Sequence, residues 1–92
     1  MPVLSMFYGT VIRMYYRDDK KHCAPHIHDI HAQYSGHKAV ISIMDGSVLS
    51  GELPANKLRL IDAWIEIHRD ELMANWSLAV MGEEVFKIDP LH

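Results

Sequence analysis

Cysteine is almost missing from this chain: Cys23 is the only one among 92 residues. No intramolecular disulfide is therefore possible, which excludes a disulfide-stapled secreted domain and fits a reducing compartment. Long apolar runs are missing too, since none reaches the ~18 residues that a spanning helix needs. The opening stretch Met1–Ile12 is uncharged, but it lacks the basic start and the small-residue cleavage site of a signal peptide. The expectation is a soluble cytoplasmic protein. Four prolines and five glycines form no linker, and no segment repeats. Gly51-Glu52-Leu53-Pro54 is no phosphate loop, and the chain holds no dinucleotide fingerprint, nucleophile elbow or paired-cysteine zinc motif. Charge of one sign is in small excess, with a net charge of -3.

What is present points to one domain spanning residues 1–92. The 49 % hydrophobic and 23 % charged residues are ordinary for a folded globular chain. A chain this short buries only about 60–65 % of its unfolded surface, so association with a partner would help it. The small net charge conceals two unlike halves. Residues 1–38 carry five basic against three acidic residues, and residues 39–92 carry four against nine. The first half is thus the one able to meet an anion, and it holds five of the seven histidines.

Side-chain periodicity divides the chain in the same place. Thr10–Arg17 is β-branched and aromatic and reads as a strand. Asp18-Asp19-Lys20-Lys21 is a polar break, and Pro25 holds the following histidines in extended backbone. Ser35-Gly36 reads as a turn between Ile30–Tyr34 and Lys38–Met44. Asp45-Gly46 reads as a type I′ turn between Ala39–Met44 and Ser47–Glu52. From Pro54 the period becomes helical, with Leu58, Ile61, Ile65, His68, Leu72, Trp76 and Ala79 in one stripe. Pro54 suits the first turn and Gly82 the stop. A helix of about 25 residues, ~38 Å long, overhangs so small a sheet unless it bends near His68. The fold expected is α+β: a three- to four-stranded antiparallel meander packed on one long helix. A short final strand is expected at Val85–Ile88.

Four histidines, His22, His26, His28 and His31, fall within ten residues. Imidazole titrates near neutral pH and is the commonest protein metal ligand, so both chemistries are concentrated here. On a strand His26 and His28 point to one side and can offer two nitrogens to one ion. His22 could curl back across Pro25, whereas His31 has the wrong parity and joins only through a bulge. His68, inside the helical stripe, is a candidate further ligand, though a histidine there is more often a hydrogen-bonded core residue. Asp29 and Cys23 are possible additions. The metal would be a divalent transition ion such as zinc, nickel or manganese. Without a metal, His26 and His28 could serve as general base and acid on a phosphodiester, or with Arg13 and Arg17 hold phosphate. A polar structural loop is the remaining reading. Trp64 and Trp76 read as core anchors, and Tyr15, Tyr16 and Tyr34 as packing rather than base-stacking residues. Glu66 and Glu71 lie off the stripe and read as solvated.

One resemblance follows from residues already met. Pro2-Val3-Leu4-Ser5, Phe7-Tyr8-Gly9 and Ile12-Arg13-Met14-Tyr15 open it, and Pro25-His26-Ile27-His28 and Ala32-Gln33-Tyr34 continue it. Gly51-Glu52-Leu53-Pro54, Trp64, His68, Glu71-Leu72, Asn75-Trp76 and Ile88-Asp89-Pro90-Leu91 complete it. Over nearly its whole length the chain resembles the small bacterial domain-of-unknown-function family 4160, whose pattern reads His-x-Pro-Pro-His-Phe-His-Ala-Glu-Tyr. Here Ala24 replaces the first proline, Ile27 replaces the phenylalanine, and Asp29-Ile30-His31 is an extra segment. Either His28 or His31 is then the last histidine of the pattern. The resemblance implies a compact bacterial protein of regulatory or toxin–antitoxin-type operons, with relatives labelled transcriptional regulators, and no established reaction.

Two functions stand beside each other at this point. One is a histidine-centred site for a divalent metal or for phosphodiester chemistry within such a module. The other is a non-catalytic, antitoxin-like regulator that forms a homodimer or holds an operon-encoded partner through the long helix. Nucleic-acid binding is weakly supported, because an acidic chain has little non-specific affinity for it.

Overall fold

The computed structural model describes residues 3–14, 25–31 and 38–91, with backbone alone for 29–31. Five strands and one helix follow one another: β1 Val3–Phe7, β2 Thr10–Arg13, β3 His26–His31, β4 Lys38–Ser42, β5 Val48–Gly51 and α1 Ala55–Val80. Each strand pairs antiparallel with the next, in the order β1-β2-β3-β4-β5. The α+β class and the meander are as the sequence implies, but the described residues form five strands.

The added strand is β1. Its turn to β2 is Tyr8-Gly9, with φ of 48° and 79°, the doubly positive pair of a two-residue type I′ hairpin. A tyrosine seldom takes positive φ, so this turn does not announce itself. Lys57 Nζ donates to Tyr8 O at 2.7 Å and ties the start of the helix to the hairpin.

The Asp45-Gly46 turn takes another form than expected. Only Gly46 has positive φ, 75°, so it is not type I′. Gly46 N–H bonds Ser42 O at 2.9 Å, and Ser42 N–H bonds Ser47 O at 2.8 Å. Asp45 instead turns its carboxylate onto Ser47, accepting from its N–H at 2.9 Å and its hydroxyl at 2.7 Å. That local bond competes with a tight two-residue reversal. A side chain at Gly46 would place Cβ 2.6 Å from Asp62 Oδ1.

Ile12, Ile27 and Ile41 are all 0 % exposed and share one face by register, since Ile27 stands opposite Ile41 and Ile12 opposite Asp29. Ile61, Trp64, Ile65 and Leu72 of α1, also 0 % exposed, complete the core. The Phe7 and Trp64 rings meet at 5.4 Å. Each such side chain contributes about 1.5–3 kcal/mol on burial, which is what holds the helix on the sheet.

Pro54 takes the N-cap position, φ -57° and ψ 141°, and its carbonyl accepts from Lys57 N and Leu58 N. At the other end Gly82, φ 77°, closes a Schellman motif. Gly82 N–H bonds Ala79 O, and Glu83 N–H bonds Leu78 O. The bend falls at His68, whose φ of -111° and ψ of 21° leave the helical region. Arg69 Nε, next to it, donates to Ile43 O at 3.1 Å.

The final strand is not formed, because residues 83–91 have irregular backbone. Val85 and Ile88 are nonetheless buried. The segment meets β1 through one bond, Ile88 N–H to Leu4 O at 2.8 Å, and side chains of α1 supply further partners. Asn75 Nδ2 donates to Phe86 O at 2.8 Å, and Asn75 Oδ1 accepts from Phe86 N at 2.9 Å. Trp64 Nε1 donates to Asp89 O at 2.8 Å. At the opposite edge of the sheet all four residues of β5 are exposed.

Candidate functional site

β3 starts immediately after Pro25, whose carbonyl accepts from Ile43 N–H at 3.0 Å and extends the pairing with β4 by one rung. Alternation then sets His26 and His28 on the same side, and their rings meet edge-on with centroids 5.2 Å apart. Register adds two neighbours. His28 stands directly opposite Arg13 of β2, and His26 opposite Ser42 of β4.

The two imidazoles differ in their surroundings. His26 is 1 % exposed and lies against the Trp76 ring at 4.8 Å and 58°. His28 and Arg13 are half-buried. The site is therefore layered: an indole from the helix, a buried imidazole, then a half-buried imidazole with Arg13 beside it in register. Trp76 is only partly as expected. It is a core anchor, 8 % exposed, and also the floor under His26, a contact that no local pattern reveals.

His68 follows another path. Its ring lies against Trp64, tilted by 50° with centroids 5.6 Å apart, and its Nδ1 meets Glu71 Oε1 at 2.7 Å, which leaves Glu71 exposed but not purely solvated. Among the described residues no three histidine, cysteine, aspartate or glutamate side chains gather as a metal site, so His68 does not join His26 and His28. His31 ends β3 opposite Thr10, with no irregularity in the β2–β3 register before it. His22, Cys23, Arg17, Tyr15, Tyr16, Tyr34 and the Ser35-Gly36 turn lie outside the described residues.

The comparisons bear on what this arrangement belongs to. The family model described as Domain of unknown function (DUF4160) matches residues 9–77. The chain belongs to that family. The matched span runs from the β1–β2 turn to the residue after Trp76, so Arg13, His26, His28 and Trp76 all fall inside it, while residues 83–91 fall outside. Neither curated proteins nor solved structures return a match. Among the described residues no helix is long and apolar enough to cross a membrane.

Two carboxylates outside this face are perturbed. Hydrogen bonds from the Ser47 N–H and hydroxyl hold Asp45 below the ordinary carboxylate value. Burial, and then the negative charge of Asp45, push Asp62 above it. Asp62 Oδ1 is buried with no hydrogen-bond partner among the described residues, so neutralisation relieves it.

Proposed function

We propose that the Arg13–His28–His26 face binds a phosphodiester and performs acid–base chemistry on it. The observation that carries this reading is that Arg13 holds the register position opposite His28, whose ring meets that of His26. A fixed positive charge next to an imidazole attracts an anion and opposes a cation. The excess of basic residues in residues 1–38 supports the same sign of ligand.

In this reading Arg13 holds the phosphate oxygens and the half-buried His28 exchanges the proton with the substrate. His26, packed between His28 and Trp76, fixes the orientation of His28. The setting is a regulatory or toxin–antitoxin-type module. Untagged protein assayed on single-stranded RNA tests it. His28→Ala is expected to lower cleavage by about two to four orders of magnitude, the usual worth of a general acid or base. Arg13→Gln is expected chiefly to raise KM, and His26→Gln to shift the pH profile. Unchanged cleavage by folded His28→Ala protein, or none by the parent chain, overturns it.

A second reading has one observation in its favour. Two imidazoles on one tetrahedral ion, with metal–nitrogen bonds of about 2.0–2.1 Å, have centroids about 5 Å apart, close to the 5.2 Å seen here. His26 and His28 would then be two ligands of zinc, nickel or manganese, with His22 or His31 as further candidates. Stoichiometric zinc and a thermal shift that His28→Ala abolishes are the expected results. A non-catalytic regulator draws support from Ile67 and Met81, 65 % and 63 % exposed, through which α1 would meet a second copy or a protein partner.

A further inference from the structure

His28 is flanked on both neighbouring strands by a basic residue. Arg13 of β2 stands directly opposite it. On the other flank Val40 of β4 stands opposite, and Lys38, two residues before Val40, is the diagonal neighbour, at the position opposite Ile30. Alternation sets Lys38 on the same side of the sheet as Val40 and His28. A directly opposed pair has Cβ atoms about 4.5–5.5 Å apart, and a diagonal pair stands about 7–8 Å apart, still within reach of a long side chain.

Lys38 is exposed and has no ion pair among the described residues. Two acidic residues belong to the same stretch of sheet. Asp29 holds a register position in the other row, with Ile12 and Ala39. Glu52 follows β5 and gives its N–H to Lys38 O at 3.2 Å, but its carboxylate makes no ion pair with Lys38. The charge of Lys38 is thus open to a ligand, with Arg13 on the far side of His28. The two basic residues are two strand spacings and two residues apart, about 12 Å between Cα atoms. That span exceeds one phosphate group and suits neighbouring phosphates of an extended chain.

We propose, resting on the phosphodiester reading above, that Lys38 holds the phosphate next to the one at Arg13 and His28. The ligand is then a single-stranded polynucleotide with at least two phosphodiesters, laid across β2, β3 and β4. A flexible single strand can follow cations spread over one sheet face. Lys38 selects such a chain over an isolated phosphodiester and touches no bond that breaks.

The probes are an eight-nucleotide single-stranded RNA and a ribodinucleotide with one phosphodiester, each with the full chain. Octamer binding by folded His28→Ala protein is read by fluorescence anisotropy over a range of salt. Adding Lys38→Gln is expected to weaken it about tenfold, the worth of one contact to a charged group. The slope of log affinity against log salt should fall by about 0.7, one phosphate of a single strand. Lys38→Arg should keep both, and Glu52→Gln should tighten binding. In cleavage by the otherwise unaltered chain, Lys38→Gln should lower kcat/KM on the octamer about tenfold and on the dinucleotide far less. Unchanged octamer affinity and slope in Lys38→Gln, an equal loss on both substrates, or an acidic peptide of the same charge binding as tightly each overturns the proposal. Octamer binding that follows Lys38 without any cleavage upholds it while the acid–base reading falls alone. Cleavage that needs His28 but not Lys38 does the reverse.

Discussion

Burial leaves Asp62 with one carboxylate oxygen out of water and no hydrogen-bond donor to it among the described residues, while Asp45 accepts two hydrogen bonds from Ser47. The two therefore affect stability with opposite sign. Because folding raises the Asp62 pKa above 3.8, its contribution is greatest below that value and falls as pH rises through the folded-state pKa. Asp45, held below 3.8, contributes above that value and loses its contribution as pH falls through the folded-state pKa. Thermal melts of Asp62→Asn should show a gain at neutral pH that vanishes below 3.8. Asn75 matters by a different route, because its amide, 2 % exposed, supplies both backbone partners of Phe86. Asn75→Ala should cost about 2–3 kcal/mol, from the loss of the two bonds, and hydrogen exchange over residues 83–91 should accelerate first. Neither role is legible in the sequence, since each depends on a partner that the helix meets only after folding. The His26–His28 pair is legible, because a period of two is a local property of extended backbone. Its floor, Trp76, is not.

Elements were legible wherever their period was sustained. The α1 stripe runs long enough to define the helix, Gly82 marks its stop, and its length calls for either an overhang or a bend near His68, of which the bend is found. His68, a candidate further ligand on that stripe, sits at the bend itself. Its ring lies against Trp64, four residues earlier, and its Nδ1 meets Glu71, three residues later, the ordinary neighbours along a helix face. β1 is hidden in the sequence because its hairpin turns on a tyrosine, and Val85–Ile88 has a strand-like pattern although its burial comes without a ladder. β5 ends at Gly51, φ 79°, where a Cβ would stand 2.1 Å from Lys38 O. Gly51→Ala must displace backbone as well as adopt a strained φ, at a cost of at least about 1–3 kcal/mol. Chemical denaturation reads that loss directly. A variant as stable as the parent would show that the β4–β5 end can shift freely.

For the molecule as a whole, the division at residue 38 in charge matches a division of labour in the fold. The more basic half supplies β1 to β3 and the histidine face, and the acidic half supplies α1 and Trp76 beneath it. A mutation in the helix should therefore reach the site: Trp76→Ala removes the ring under His26 and should cost about 3–5 kcal/mol, with the proposed RNA cleavage falling even where folding is rescued at low temperature. The sheet's two edges also fix how many chains can join it by strand addition. β1 has the C-terminal segment across it, and only β5 presents its outer side to solvent among the described residues. Exposed edges invite pairing, but a sheet with one open end has a valence of one. Association along that edge stops at two copies, and a filament would first require the segment carrying Ile88 to be pulled away.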